Sequence, residues 1–136
     1  MRTLATFLFP DFELLDVYGP LEMFGMAKDD IEVRMVAETA DPVQGRGGPR
    51  TAIDDVIADD HDYDILLIPG GFGTRDLLEN DNVLAWVRRK SETAELVTSV
   101  CTGSTLLSAA GVLDGRKATT NKMSFAWATS FGPNVN

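Results

Sequence analysis

The stretch Glu95-Leu96-Val97-Thr98-Ser99-Val100-Cys101-Thr102-Gly103-Ser104, running on to Ala109-Ala110-Gly111, decides the fold. Glu95 to Val100 reads as an apolar strand, and Thr102 to Ala110 reads as a helix closed by Gly111 in the usual post-helix position. Cys101 stands at the junction, where a sharp strand-to-helix turn thrusts a side chain above a sheet.

The neighbouring segments repeat that alternation. Asp64-Ile65-Leu66-Leu67-Ile68 is a compact apolar run stopping at Pro69-Gly70-Gly71, the pattern of a fully buried parallel strand. A helix is expected next, with Asn80 or Asp81 as cap, Val83, Leu84, Trp86 and Val87 as its apolar face and Arg88, Arg89 and Lys90 towards its C-terminus. Leu4 to Phe9 predicts a strand, and Asp16 to Met26 a helix with Pro20 in its first turn. Glu32 to Ala37 predicts a further strand. Gly45-Arg46-Gly47-Gly48-Pro49 is a turn cluster that predicts a small hairpin. The fold class expected is α/β, a three-layer α/β/α sandwich with a mostly parallel sheet, its ligand site at the carboxyl ends of the strands.

With 136 residues the chain is expected to form a single domain, 1–136. No apolar run reaches the ~20 residues that span a bilayer, so no membrane association is expected. The apolar start, Leu4 to Phe9, reads as a strand and not a signal peptide because Pro10, Asp11 and Glu13 follow at once, and a cytoplasmic protein is predicted. A formal charge of −9 disfavours nucleic acid as a partner of this segment. The acidic stretch from Asp54 to Asp64 lacks the ligand order of a calcium loop and is expected to be solvated surface.

Cys101 is the only cysteine, so no internal disulfide can form. At a helix N-terminus its thiolate would be favoured and nucleophilic; the competing reading is a small buried hydrophobe. The Gly70-Gly71 loop can bring backbone amides close to a substrate, and the amides of Gly71 and Thr102 together could face negative charge developing beside Cys101. The competing reading is a plain turn. It matches neither a dinucleotide fingerprint nor a phosphate loop, so no nucleotide is expected. The only histidine, His61, lies among aspartates before a strand, which argues against a Cys-His pair. Asp16, among Leu14, Leu15 and Val17, is the candidate acid or base, with Glu22 as competitor and helix N-capping as Asp16's other possible role. Trp86 and Trp127 are expected in core or interface, and Met23, Met26 and Met35 in packing.

Four stretches resemble the ThiJ/PfpI (DJ-1-like) superfamily and, within it, its isonitrile hydratase branch. They are Phe9-Pro10 with Leu15-Asp16-Val17-Tyr18-Gly19-Pro20, then Ile68-Pro69-Gly70-Gly71, then Thr98 to Ser104, and Ala109 to Gly115 with Ala118-Thr119-Thr120. The resemblance implies a flavodoxin-like, class I glutamine amidotransferase-like fold with a cysteine nucleophile elbow. It further implies that Cys101 attacks an isonitrile carbon, Asp16 manages the proton, and Gly70, Gly71 and Thr102 line the substrate. It implies no metal or organic cofactor, and a homodimer. Similar proteins usually carry His where Asn121 stands here, and they continue beyond Asn136, so missing C-terminal elements are expected. A small-molecule-sensing domain of a transcription regulator and a redox or stress-response protein are the alternatives within the same superfamily.

Overall fold

The computed structural model describes residues 1–136. In chain order they form β1 (Arg2–Phe7), α1 (Leu14–Gly25), β2 (Ile31–Ala37), β3 (Val43–Gln44), β4 (Arg50–Thr51), β5 (Asp55–Val56), a 3-10 turn (Ile57–Asp59), β6 (Ile65–Ile68), α2 (Thr74–Leu77), α3 (Asp81–Thr93), β7 (Leu96–Ser99), α4 (Gly103–Ala109) and α5 (Phe125–Thr129). Five strands pair in parallel in the order β5-β2-β1-β6-β7, and β3 and β4 form the separate antiparallel hairpin expected around Gly45 to Pro49.

Why the central strands are apolar throughout follows from the pleat, which points successive side chains to opposite faces. Leu4, Ile65 and Leu67 pack on one face beneath Leu21 and Phe24 of α1. Ala5, Phe7, Leu66 and Ile68 face the other way, joining Val83, Trp86 and Val87 of α3 and Leu106 and Leu107 of α4. Helices on both faces bury β1 and β6 twice over, which is the three-layer arrangement expected. Phe7 and Trp86 meet with ring centroids 5.3 Å apart, so Trp86 is core. Asn80 caps α3 by accepting the Val83 N–H at 3.1 Å, and Gly111 takes the positive φ of 79° that ends α4.

Two expectations about the first helix are corrected. It starts at Leu14, so Asp16 lies in its first turn and Glu13 is the N-cap residue. Pro20 is consequently interior, where it has no N–H for the Asp16 carbonyl. The helix starts early because Phe12 is bridged to Gly71 and Glu13 N–H donates to the Gly70 carbonyl at 2.9 Å, which anchors the chain just before Leu14. Met23 and Met26 are exposed on α1, whereas Met35 does pack against the core.

The acidic stretch is also more structured than expected. Asp55 is buried, with the Arg34 guanidinium 2.6 Å from Oδ1 and the Tyr63 hydroxyl donating to Oδ2 at 3.0 Å. A buried carboxylate needs such partners, and here they tie the edge strand β5 to β2. Lys90 of α3, likewise buried, donates to the Asp60 carbonyl and the Asp62 carboxylate.

Candidate functional site

Parallel strands leave their carboxyl ends at one edge, so the segments after β1, β6 and β7 converge there. Cys101 follows β7 with φ of 55°, a left-handed conformation uncommon for a non-glycine residue. Such a backbone is the mark of a nucleophile elbow, since it is held only where the surroundings over-determine it. Those surroundings are identifiable. Val100 N–H donates to the Ile68 carbonyl at 3.0 Å, and Gly103 N–H donates to the Val100 carbonyl at 2.9 Å. The hydroxyls of Ser104 and Thr120 both donate to the Cys101 carbonyl at 3.1 Å. A Cβ at Gly103 would run into the Ile68 carbonyl oxygen, so the elbow can close on β6 only with glycine there. The thiol itself is half-buried.

Gly70 is the point where the three loops meet. Its N–H donates to Asp16 Oδ2 at 3.1 Å. A Cβ on it would lie 2.7 Å from Thr102 N and 2.9 Å from Asp16 Oδ2. The missing side chain of one glycine therefore lets the carboxylate and the residue next to Cys101 approach the same point. Burial pushes the Asp16 carboxyl above the usual carboxylate range, partly offset by the Gly70 N–H, which favours the charged form; Glu13 adds to the rise.

The amides are distributed differently from expectation. Gly71 N–H donates to Thr102 Oγ1 at 3.1 Å, and Thr74 Oγ1 donates to the Gly71 carbonyl at 2.8 Å. Gly71 thus braces the loop against the elbow, and Gly70 holds the acid. Neither the Thr102 N–H nor the Cys101 N–H has an acceptor within the protein. Thr102 is itself buried, and its hydroxyl is engaged by the Gly71 N–H and the Thr74 hydroxyl.

Other candidates fall away from this centre. Glu22 is exposed on the outer side of α1. His61 lies within 4.8 Å of Asp55 on β5, and β5 is separated from β7 by three strands, about 19 Å at ordinary strand spacing. Asp55, Asp59 and His61 cluster, but both Asp55 oxygens serve Arg34 and Tyr63 and Asp59 Oδ2 accepts the Val56 N–H. Asn121 accepts the N–H groups of Met123 and Ser124 and so organises the turn before α5. Trp127 is half-buried, with the Arg75 guanidinium 4.4 Å from its ring centroid.

Ser104, Thr120 and Thr74 escaped the sequence reading. The three-residue spacings Cys101 to Ser104 and Gly71 to Thr74 are local hydroxyl-to-carbonyl patterns that could have been noticed. Thr120 reaches Cys101 across the fold and leaves no local signal. Behind the elbow, between α4 and the C-terminal segment, lies a cavity of about 180 Å³ lined by Ser104, Ser108, Leu113, Thr120, Phe125 and Val135 among others. Neither Asp16 nor Cys101 lines it.

Fold and site define an α/β protein with a cysteine elbow near a partly buried carboxylate. A sequence profile of the DJ-1/PfpI family matches residues 2–127, and the chain belongs to that family. It is 36% identical over 118 residues to an isonitrile hydratase of Pseudomonas putida, covering 84% of this chain and 50% of that protein. It is 33% identical to general stress protein 18 of Bacillus subtilis (strain 168), covering 88% and 69% respectively. A ThiJ/PfpI family protein from Pseudomonas syringae of known structure superposes with a TM-score of 0.89 at 31% identity, covering 96% of this chain and 55% of that one. The chain spans about half the length of the first and third of these.

Proposed function

We propose that this chain carries out cysteine-dependent hydration of an isonitrile-like small molecule to an N-substituted formamide. The observation that carries the reading is the convergence at Gly70 of a partly buried Asp16 carboxylate and the Cys101-Thr102 elbow. Support also comes from the similarity to the Pseudomonas putida protein named isonitrile hydratase.

In the reaction, Cys101 Sγ bonds to the terminal isonitrile carbon and its proton passes through Asp16 to that carbon, giving a thioimidate, S–CH=N–R. Water then adds across the C=N bond, its hydroxyl going to carbon and its proton to nitrogen. Collapse of this adduct breaks the C–S bond, forms the formyl C=O and returns the hydroxyl proton to sulfur through Asp16. A carboxyl group raised above its ordinary range by burial suits both directions of transfer better than an unperturbed one. The Thr102 N–H, which has no acceptor within the protein, is the donor this reading assigns to charge developing at the adduct. All the groups required are side chains and backbone of this chain, together with water.

No helix is long and apolar enough to cross a membrane, and we place the protein in the cytoplasm, where a lone thiol stays reduced. We place a homodimer interface on the outer side of α1, where Leu15, Tyr18, Met23 and Met26 are all exposed.

The test is formamide production from cyclohexyl isonitrile by the purified protein beside Cys101→Ala and Asp16→Asn. Turnover is expected in the parent and a loss of at least ~100-fold in each variant, the scale of general acid–base catalysis. Equal turnover in all three would overturn the assignment.

A further inference from the structure

We propose that Arg46 and Arg75 form a recognition rim that selects substrates carrying a carboxylate, a specificity that rests on the reading of Cys101 as the reactive centre. The β3–β4 turn and the helix α2 deliver these side chains to one exposed ring. Arg46, in the turn of the β3–β4 hairpin, lies with its guanidinium 4.8 Å from the centroid of Phe72, and Arg75 of α2 lies 5.2 Å from it. Arg75 also contacts Trp127 at 4.4 Å, so two aromatic rings fix its orientation.

The ring that gathers them belongs to the site loop. Phe72 follows Gly71, whose N–H is bonded to Thr102 beside Cys101, and Thr74, next to Arg75, is bonded to Gly71. Arg46 is tied in as well, its N–H donating to the Phe12 carbonyl at 2.9 Å while Phe12 bridges Gly71.

Neither guanidinium has a carboxylate partner, although acidic residues outnumber basic ones 21 to 12. Arg2, Arg34, Arg88, Arg89 and Lys90 are ion-paired, and of the arginines that are not, Arg46 and Arg75 are the two gathered on the Phe72 ring. Stacking on an aromatic face uses the plane of a guanidinium and leaves its N–H edge free for a planar, bidentate anion. Within a protein of net charge −9, two unpaired arginines on one ring create a local positive field beside the Gly70-Gly71 loop.

The test compares alkylation of Cys101 by iodoacetate and by iodoacetamide, reagents of similar size in which Sγ displaces iodide and which differ in a carboxylate. Rates are read by intact mass. Removing two cations that attract the reagent's carboxylate predicts that the iodoacetate-to-iodoacetamide rate ratio falls several-fold in Arg46→Gln/Arg75→Gln at low ionic strength. The ratio should hold in Arg88→Gln, on the far surface of α3. Butyrate, but not butyramide, should slow the iodoacetate reaction at constant ionic strength. An unchanged ratio in the double variant, or an equal fall in Arg88→Gln, would overturn the rim. A Cys101 inert to both reagents would instead overturn the reactive-centre reading, and the rim with it.

Discussion

The proton-transfer role proposed for Asp16 conflicts with its partial burial, and the conflict can be measured. Its carboxyl is held above the ordinary range chiefly by burial, so ionising it in the folded protein is unfavourable. With a folded value above the unfolded one, the favourable contribution of the protonated group is complete below about pH 4 and is lost as pH rises through the folded value. Asp16→Asn keeps an oxygen for the Gly70 N–H and removes the charge. The variant is therefore expected to be more stable than the parent at pH 7, the advantage shrinking towards pH 4, while hydration is abolished. Thermal unfolding across pH 4–8 checks this; a variant less stable at pH 7 would remove the burial argument. At this scale Cys101 and Asp16 were visible in the sequence as residue types next to element boundaries. The hydrogen-bonding roles of Gly70 and Gly71 were not, since both depend on partners 54 and 31 residues away.

At the level of elements, the edge strand β5 is held to β2 by backbone pairing and by one partly buried ion pair, Arg34–Asp55. The Arg34 hydrogen bond holds the Asp55 carboxyl below its usual range against the opposing effect of burial, with further help from Tyr63. That contribution is present above the ordinary carboxylate value and is lost as pH falls through the lowered one. Arg34→Met leaves Asp55 with only the Tyr63 hydroxyl. Because Arg34 is about a third exposed, the expected cost is about 2 kcal/mol at pH 7, below the range for fully buried pairs. Urea unfolding of parent and variant at pH 7 and pH 3 should show the difference narrowing in acid. Periodicity located β6, α3 and α4 well because their apolar residues are buried by the sheet itself. It misplaced the start of α1, because that boundary is set by the Phe12–Gly71 bridge and not by a capping side chain.

For the whole molecule, the outer side of α1 poses the main question. Leu15 is 76% exposed and Met26 80% exposed on the same side of the helix, a stripe that a solitary chain would leave in water. Burial against the same helix of a second copy is an isologous solution. Sedimentation equilibrium is expected to give a dimer, and Leu15→Glu/Met26→Glu a monomer that remains folded, since neither side chain contributes to the core. A monomeric parent at ~50 μM would exclude a stable interface on this face; that concentration is far above the Kd of ordinary specific dimers.

What the sequence determined by itself was the alternation of strand and helix, the parallel sheet that alternation requires, and the junction occupied by Cys101. These are consequences of local hydrophobic period and of glycine and proline punctuation, which act within a few residues. The tertiary structure alone decided which amides hold Asp16 and which remain free, why Asp55 could be buried, and why Arg46 and Arg75 meet on Phe72. Each of these joins segments far apart in the chain, and their pairing follows from strand order and loop paths that only the folded sheet defines.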